Sequence, residues 1–133
     1  GKPDSSIPTI CPYCGVGCQL KVELKNGRIT RTVPDTEGPA NRGQACVKGR
    51  YGIVEFVHST ERLTAPLVRK DGKFVKVSLE EALTLVAEKL GKYKGDQFAF
   101  VASAKATNED NYVMQKFTRA VMQTNNVDHC ARL

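Results

Sequence analysis

A chain of 133 residues, 41% hydrophobic and 26% charged, is about one domain long and can bury roughly two thirds of its unfolded surface. It has no run of about 20 apolar residues to span a bilayer, and Gly1 to Ser6 lack the apolar core of a secretory signal. The net charge of +6 raises the question of nucleic acid, but the cations are scattered among acids, form no long basic block and are accompanied by few aromatics, which argues against that partner.

The first signal along the chain is Cys11-Pro12-Tyr13-Cys14-Gly15-Val16-Gly17-Cys18, followed by Cys46 after a gap of 27 residues. Thiolates are the preferred ligands of iron–sulfur clusters and of structural zinc. Zinc modules usually pair two short Cys-x2-Cys knuckles, whereas three clustered cysteines with a distant fourth fit the corners of a four-iron cubane better. Gly15 and Gly17 let the backbone wrap closely around something bulky. A structural zinc site stays the second reading. Such metal use by four of five cysteines points to a reducing compartment, the cytoplasm, rather than to a disulfide scaffold. A cubane with four thiolates carries a charge of about −2, and phosphate-bearing cofactors would add more, so bound anions account for the excess of Lys and Arg.

Gln19 to Val33 alternates around Asn26-Gly27 and predicts a β-hairpin. Pro34 to Gly43, with two prolines and two glycines, predicts a loop that returns Cys46 to the cluster. Val47 to Phe56 predicts a short helix with Ile53, Val54 and Val57 on its buried side. A second hairpin is expected at Leu67–Arg69 and Lys73–Val77 around Asp71-Gly72. Ser78-Leu79-Glu80-Glu81 reads as a capping box opening a helix whose apolar face is Leu79, Ala82, Leu83, Val86 and Leu90, with Gly91 and Gly95 at its end. Gln97 to Val101 reads as a buried parallel strand. Thr107 to Asp110 starts a further helix with Val113, Phe117, Ala120 and Val121 inward and Met114 in the core, stopped by Asn125-Asn126 before a strand at Val127. The fold class predicted is therefore mixed α+β and α/β. A small N-terminal cluster domain with a β-hairpin occupies residues 1–60, and the beginning of an open α/β sheet, incomplete, occupies 61–133.

Ser103, Lys105, Asn108 and Glu109 fall where a strand passes into a helix start, the end at which open α/β sheets collect ligands and helix amides favour phosphate. Plain capping by Thr107 or Asn108 is the alternative. His129 beside Cys130 is not a nucleophilic dyad, because neighbours on a strand point to opposite faces. His58 reads as a packing or hydrogen-bonding residue.

The cysteine motif and Asn41-Arg42-Gly43-Gln44-Ala45-Cys46-Val47-Lys48-Gly49-Arg50 resemble the N-terminal cluster domain of molybdopterin-dependent oxidoreductases. His58 to Leu67, Thr107 to Phe117 and Asn125 to Leu133 are similar to formate dehydrogenase catalytic subunits. The resemblance implies a [4Fe-4S] cluster on Cys11, Cys14, Cys18 and Cys46, with Lys48 as the electron relay between cluster and pterin. It further implies formate/carbon dioxide interconversion at molybdenum or tungsten held by bis-molybdopterin guanine dinucleotide, with Ser103, Lys105, Asn108 and Glu109 on the pterin side. In such enzymes the metal takes a cysteine or selenocysteine followed by histidine. That position comes just after Leu133, so no catalytic residue is expected within the chain and residue 134 is expected to be selenocysteine. Implied partners are the remainder of the catalytic subunit and iron–sulfur subunits linked to a nicotinamide, a ferredoxin or a hydrogenase. A nitrate reductase-like enzyme of the same superfamily and a stand-alone electron-transfer module are the competing readings.

Overall fold

The computed structural model describes residues 1–130. Its first half is a three-stranded antiparallel sheet in the order β1 (Ser5–Ile10), β2 (Gln19–Lys25), β3 (Arg28–Pro34). The β2–β3 hairpin lies where the alternation predicts it. Asn26 and Gly27 both take positive φ, 50° and 74°, the left-handed pair that matches the twist of the flanking strands. Arg31 lies opposite Glu23 and donates to its carboxylate from Nε and Nη2 at 2.9 and 3.0 Å. Strand β1 is not among the elements expected from the sequence, and it contains Pro8, which cannot donate to a ladder. It is accommodated because β1 is an edge strand paired with β2 alone.

The helix expected after Cys46 is divided into a π-helical turn, Lys48–Gly52, and α1, Ile53–His58. Ile53 is buried and Val54 and Val57 are half-buried, as expected. Leu20 from β2, Cys11 and Ile53 form the core of this half, with Tyr13, Cys18, Ala45 and Val57 packed against it. His58 Nε2 accepts the Ile29 amide at 2.9 Å and ties α1 to β3.

In the second half β4 (Leu67–Lys70) and β5 (Lys73–Lys76) form the predicted hairpin, turning at Asp71 (φ 49°) and Gly72 (φ 78°). Helix α2, Leu79–Leu90, starts at Ser78, whose hydroxyl accepts the Glu81 amide at 3.0 Å. The other half of the expected capping box is different: the Glu81 carboxylate turns to Lys70 Nζ at 3.0 Å, a cation brought within reach by β4. The strand expected at 97–101 is displaced. A 3-10 turn covers Gly95–Gln97, Phe98 packs edge-on against Phe117 at 6.2 Å, and β6 is Phe100–Ala102. Helix α3, Asn108–Ala120, capped by the Thr107 hydroxyl on the Asp110 amide, connects β6 to β7, Val127–His129, in parallel pairing. This βαβ unit is the expected opening of an α/β sheet.

Three expected burials are corrected, on α3, β6 and α2. On α3 the inward residues are Asn111, Met114, Phe117 and Thr118, while Val113, Ala120 and Val121 are exposed. The face can include Thr118, fully buried, because its hydroxyl donates to the Met114 carbonyl at 2.8 Å and so has no unpaired polar atom. Val101 on β6 is 74% exposed rather than buried, and on α2 Leu79 and Leu83 are 64% and 59% exposed. The chain presents 10059 Å² to solvent, where a compact monomer of this length presents about 6,900 Å². These apolar faces are part of the surplus.

With so small a first core, Leu20 should carry much of its cohesion. Leu20→Ala is expected to cost about 2–5 kcal/mol, seen as at least ~30-fold faster amide exchange across β2 and β3 with the exposed α2 amides unchanged. Parent-like protection would remove Leu20 from the core's centre.

Candidate metal centre and adjoining cleft

The loop between β1 and β2 folds back on itself through the Cys11 amide, which donates to the Cys18 carbonyl at 2.9 Å, and through Gly17 at φ 71°. The return loop reaches the same place by a chain of turns: Gly38 and Gly43 donate to the Asp35 carbonyl, and Arg42 donates to Gly38. Asn41 then fastens it. Its Oδ1 accepts the Gln19 amide at 2.8 Å, and its Nδ2 donates to the Gln19 and Gln44 carbonyls at 3.1 and 2.7 Å. One side chain thus holds the residue after Cys18 beside the segment before Cys46. Sequence reasoning missed Asn41, and no spacing or periodicity signals it.

Cys14, Cys18 and Cys46 line a cavity of about 490 Å³ together with Val16, Ala40, Asn41, Gln44 and Ala45. Cys11 lies beneath, 5% exposed. Burial pushes its thiol above the usual range, opposed by the Tyr13 amide, and the neighbouring Cys18, Cys14 and Cys46 push it the same way as burial. Cys46 is the reverse case. The amides of Gly49 and Lys48 donate to its sulfur and lower its pKa, and the Lys48 ammonium adds to the effect. Gly49 is wedged between the sites: a Cβ there would lie 3.3 Å from Cys11 Sγ and 3.6 Å from Leu20 Cδ1. Among the described residues no three His, Cys, Asp or Glu side chains gather closely enough to share one metal ion. The thiols surround a volume rather than a point, and no imidazole or carboxylate lines that cavity. An all-thiolate donor set of this kind fits an iron–sulfur cluster and does not suit a zinc ion held about 2.3 Å from each sulfur.

Next to the cysteine loop is a second space of about 380 Å³, lined by Gly15 on one side and by Ala102, Ser103, Ala104, Asn111, Gln115, Val127 and His129 on the other. It lies at the carboxyl ends of the parallel strands β6 and β7, the ligand end of an open α/β sheet. Of the residues singled out in the sequence, Ser103 lines this cleft, its hydroxyl accepting the Lys105 amide at 3.0 Å. Lys105 and Glu109 are exposed beside it. Asn108 does something not foreseen: its Nδ2 donates to the Gly15 carbonyl at 2.7 Å, strapping the start of α3 to the cysteine loop. The Cys130 thiol is lowered chiefly by the Ala104 amide and then by the Ser103 hydroxyl, so its partners belong to the β6–α3 loop. Ala131 to Leu133, and the metal ligand expected after them, lie outside the described residues.

The chain matches the family model described as molybdopterin oxidoreductase Fe4S4 domain over residues 4–59 and the one described as molybdopterin oxidoreductase over 62–133. It is 49% identical over 127 residues to F420-dependent formate dehydrogenase 2 subunit alpha of Methanococcus maripaludis, and 50% identical over 127 residues to F420-dependent formate dehydrogenase subunit alpha of Methanocaldococcus jannaschii. Each match covers 96% of this chain and 19% of the relative, so the chain spans about a fifth of the length of these relatives. The match over 62–133 also weighs against a module that never held a pterin. The thiol-lined space lies within the first matched segment and the strand-end cleft joins it, through Gly15, to the second; the chain belongs to the molybdopterin oxidoreductase family, with a four-iron cluster and molybdopterin as its cofactors.

Proposed function

We propose that this chain is the cluster-bearing part of a formate dehydrogenase catalytic subunit, which interconverts formate and carbon dioxide at molybdenum or tungsten on bis-molybdopterin guanine dinucleotide. Residues 1–60 form the cluster domain and 61–133 open the pterin domain. Cys11, Cys14, Cys18 and Cys46 hold the [4Fe-4S] cluster, which supplies a one-electron relay when bound. The observation that carries the reading is the juxtaposition of the cavity lined by Cys14, Cys18 and Cys46, with Cys11 buried beside it, and a cleft at the ends of β6 and β7. Similarity to F420-dependent relatives supports formate as substrate and puts an F420-linked iron–sulfur subunit ahead of nicotinamide-, ferredoxin- or hydrogenase-linked ones as partner.

Each residue then has a task of its own. Ser103 and Lys105 offer a hydroxyl and a cation to the cofactor side of the cleft, and Glu109 stands in the first turn of α3. Asn108, through Gly15, fixes the distance between the cluster loop and that side. Lys48, exposed and close enough to Cys46 to lower its thiol, places a cation where an added electron on the cluster is stabilised. The remainder of the catalytic subunit covers the bare apolar faces of α2 and β6. The decisive experiment uses the complete subunit in its native complex. Formate should reduce a viologen dye and, in the same sample, give the paramagnetic signal of a reduced four-iron cluster. A cluster signal with nitrate-dependent dye oxidation and no response to formate would move the protein to the nitrate reductases.

Two variants test the assignments. Cys14→Ser should lose the cluster signal, and because the first core is small, metal binding supplies much of its folding free energy. The amides of β2 and β3 should then exchange nearly freely, and parent-like protection would refute that coupling. Lys48→Ala should keep its full cluster content, lower the cluster's reduction potential and slow formate-driven cluster reduction by about tenfold or more. An unchanged potential would return Lys48 to the solvated surface.

A further inference from the structure

Strand β3 sends one buried side chain toward the turn that follows Cys46. Thr32 is 4% exposed, and its Oγ1 lies 2.6 Å from the carbonyl oxygens of both Gly49 and Arg50. A hydroxyl has one proton, so it is shared between two neighbouring acceptors in the π-helical turn Lys48–Gly52. Turns of this kind are uncommon, and they occur often at functional sites. Gly49 is the residue through which this one acts. Its carbonyl is held by Thr32, its amide donates to the Cys46 sulfur, and its α-carbon abuts Cys11 Sγ closely enough that an added Cβ would lie 3.3 Å away. The same turn carries the Lys48 amide, the second donor to Cys46. The Thr32 hydroxyl is therefore one residue removed from two of the four sulfurs.

We propose that Thr32 is a positioning residue that sets the cluster's reduction potential: by holding the Gly49 and Arg50 carbonyls it keeps the Lys48 and Gly49 amides aimed at the Cys46 sulfur. The inference rests on the reading of the four cysteines as cluster ligands. Its physics is that of hydrogen bonds to ligand sulfur. One electron enters the cluster, no proton accompanies it, and the charge of cluster plus thiolates goes from about −2 to about −3. Amides that donate to sulfur stabilise the more negative state, so a turn that drifts away from Cys46 makes reduction harder.

The test is a potentiometric titration with dithionite, without formate, on the complete subunit in its complex, following the paramagnetic signal of the reduced cluster. Thr32→Val keeps the shape and removes the hydroxyl. It should retain the cluster and lower the ratio of reduced to oxidised cluster about tenfold at a fixed potential, equivalent to 59 mV for a one-electron couple. Thr32→Ser keeps the hydroxyl and should titrate with the parent. If Thr32→Val fails to take up the cluster, Thr32→Cys, a weak donor of similar size, carries the test and must shift the same way. A full-content Val or Cys variant that titrates with the parent overturns the proposal, as does a Ser variant that shifts as far as Val. If the parent itself gives no four-iron signal, the ligand assignment fails instead. The Thr32 inference does not depend on whether formate is the substrate.

Discussion

Four thiols in one small space are the constraint on which the first half of this protein depends. Thiolates repel one another, and each loses hydration as it approaches the others, so the set is stable only around cations. Cys11 shows the cost directly: it is part of the apolar core with Leu20 and Ile53, and burial together with its three sulfur neighbours opposes its ionisation. Iron bound at the cavity reverses that balance, because a coordinated thiol is deprotonated outright. The buried core is only Cys11, Leu20 and Ile53, so on the proposed reading metal binding and folding would be one equilibrium.

The backbone is arranged to make the site asymmetric. Cys11 is buried, Cys14 and Cys18 are half-buried, and Cys46 is exposed with amides and an ammonium beside it. Hydrogen bonds and positive charge are therefore concentrated at one corner. On the proposed reading an electron on the cluster would be stabilised most at that corner, where Lys48 and the π-helical turn lie. The cleft at β6 and β7 is tied to the opposite loop by Asn108 on Gly15. A Cβ at Gly15 would come 2.6 Å from Asn108 Oδ1, so it is the approach of α3 that favours glycine there, while the positive φ of the turn falls at Gly17. The spacing between the two spaces is thus fixed by a main-chain carbonyl and a short, stiff side chain rather than by two flexible ones, which suits a relay whose rate depends on distance.

Much of this was legible in the sequence because it rests on local rules. Asn26-Gly27 and Asp71-Gly72 turn as those dipeptides do, Ser78 and Thr107 cap their helices, and the cysteine spacing points to a cluster. What was not legible depends on neighbours far along the chain. Strand β1 contains Pro8, which edge placement, not propensity, permits. Glu81 leaves the capping box for Lys70, and α3 rotates to bury Thr118, since a hydroxyl satisfied by its own helix can replace an apolar residue. Asn41, Asn108 and Thr32 each act across at least 17 residues of sequence, and each uses a side-chain amide or hydroxyl on a main-chain group. Such contacts leave no periodic trace.

The bare faces follow the same logic at a larger scale. Leu79 and Leu83 on α2 recur at helical spacing, and periodicity read alone assigns them to a core. The other side of the helix, at Thr84, Leu85 and Glu88, faces a space that Val68, Arg69 and Lys70 of β4 also line, and Lys70 reaches Glu81 across it. Helix α2 is thus linked to the hairpin on one side by an ion pair and is apolar and bare on the other. A two-stranded parallel sheet has the same property. Parallel sheets are ordinarily covered on both faces, and Val101, exposed on β6, is an apolar residue suited to such a cover. The amphipathic pattern correctly reports that a surface is apolar; which element meets it is decided by topology, and topology is where local patterning carries least information.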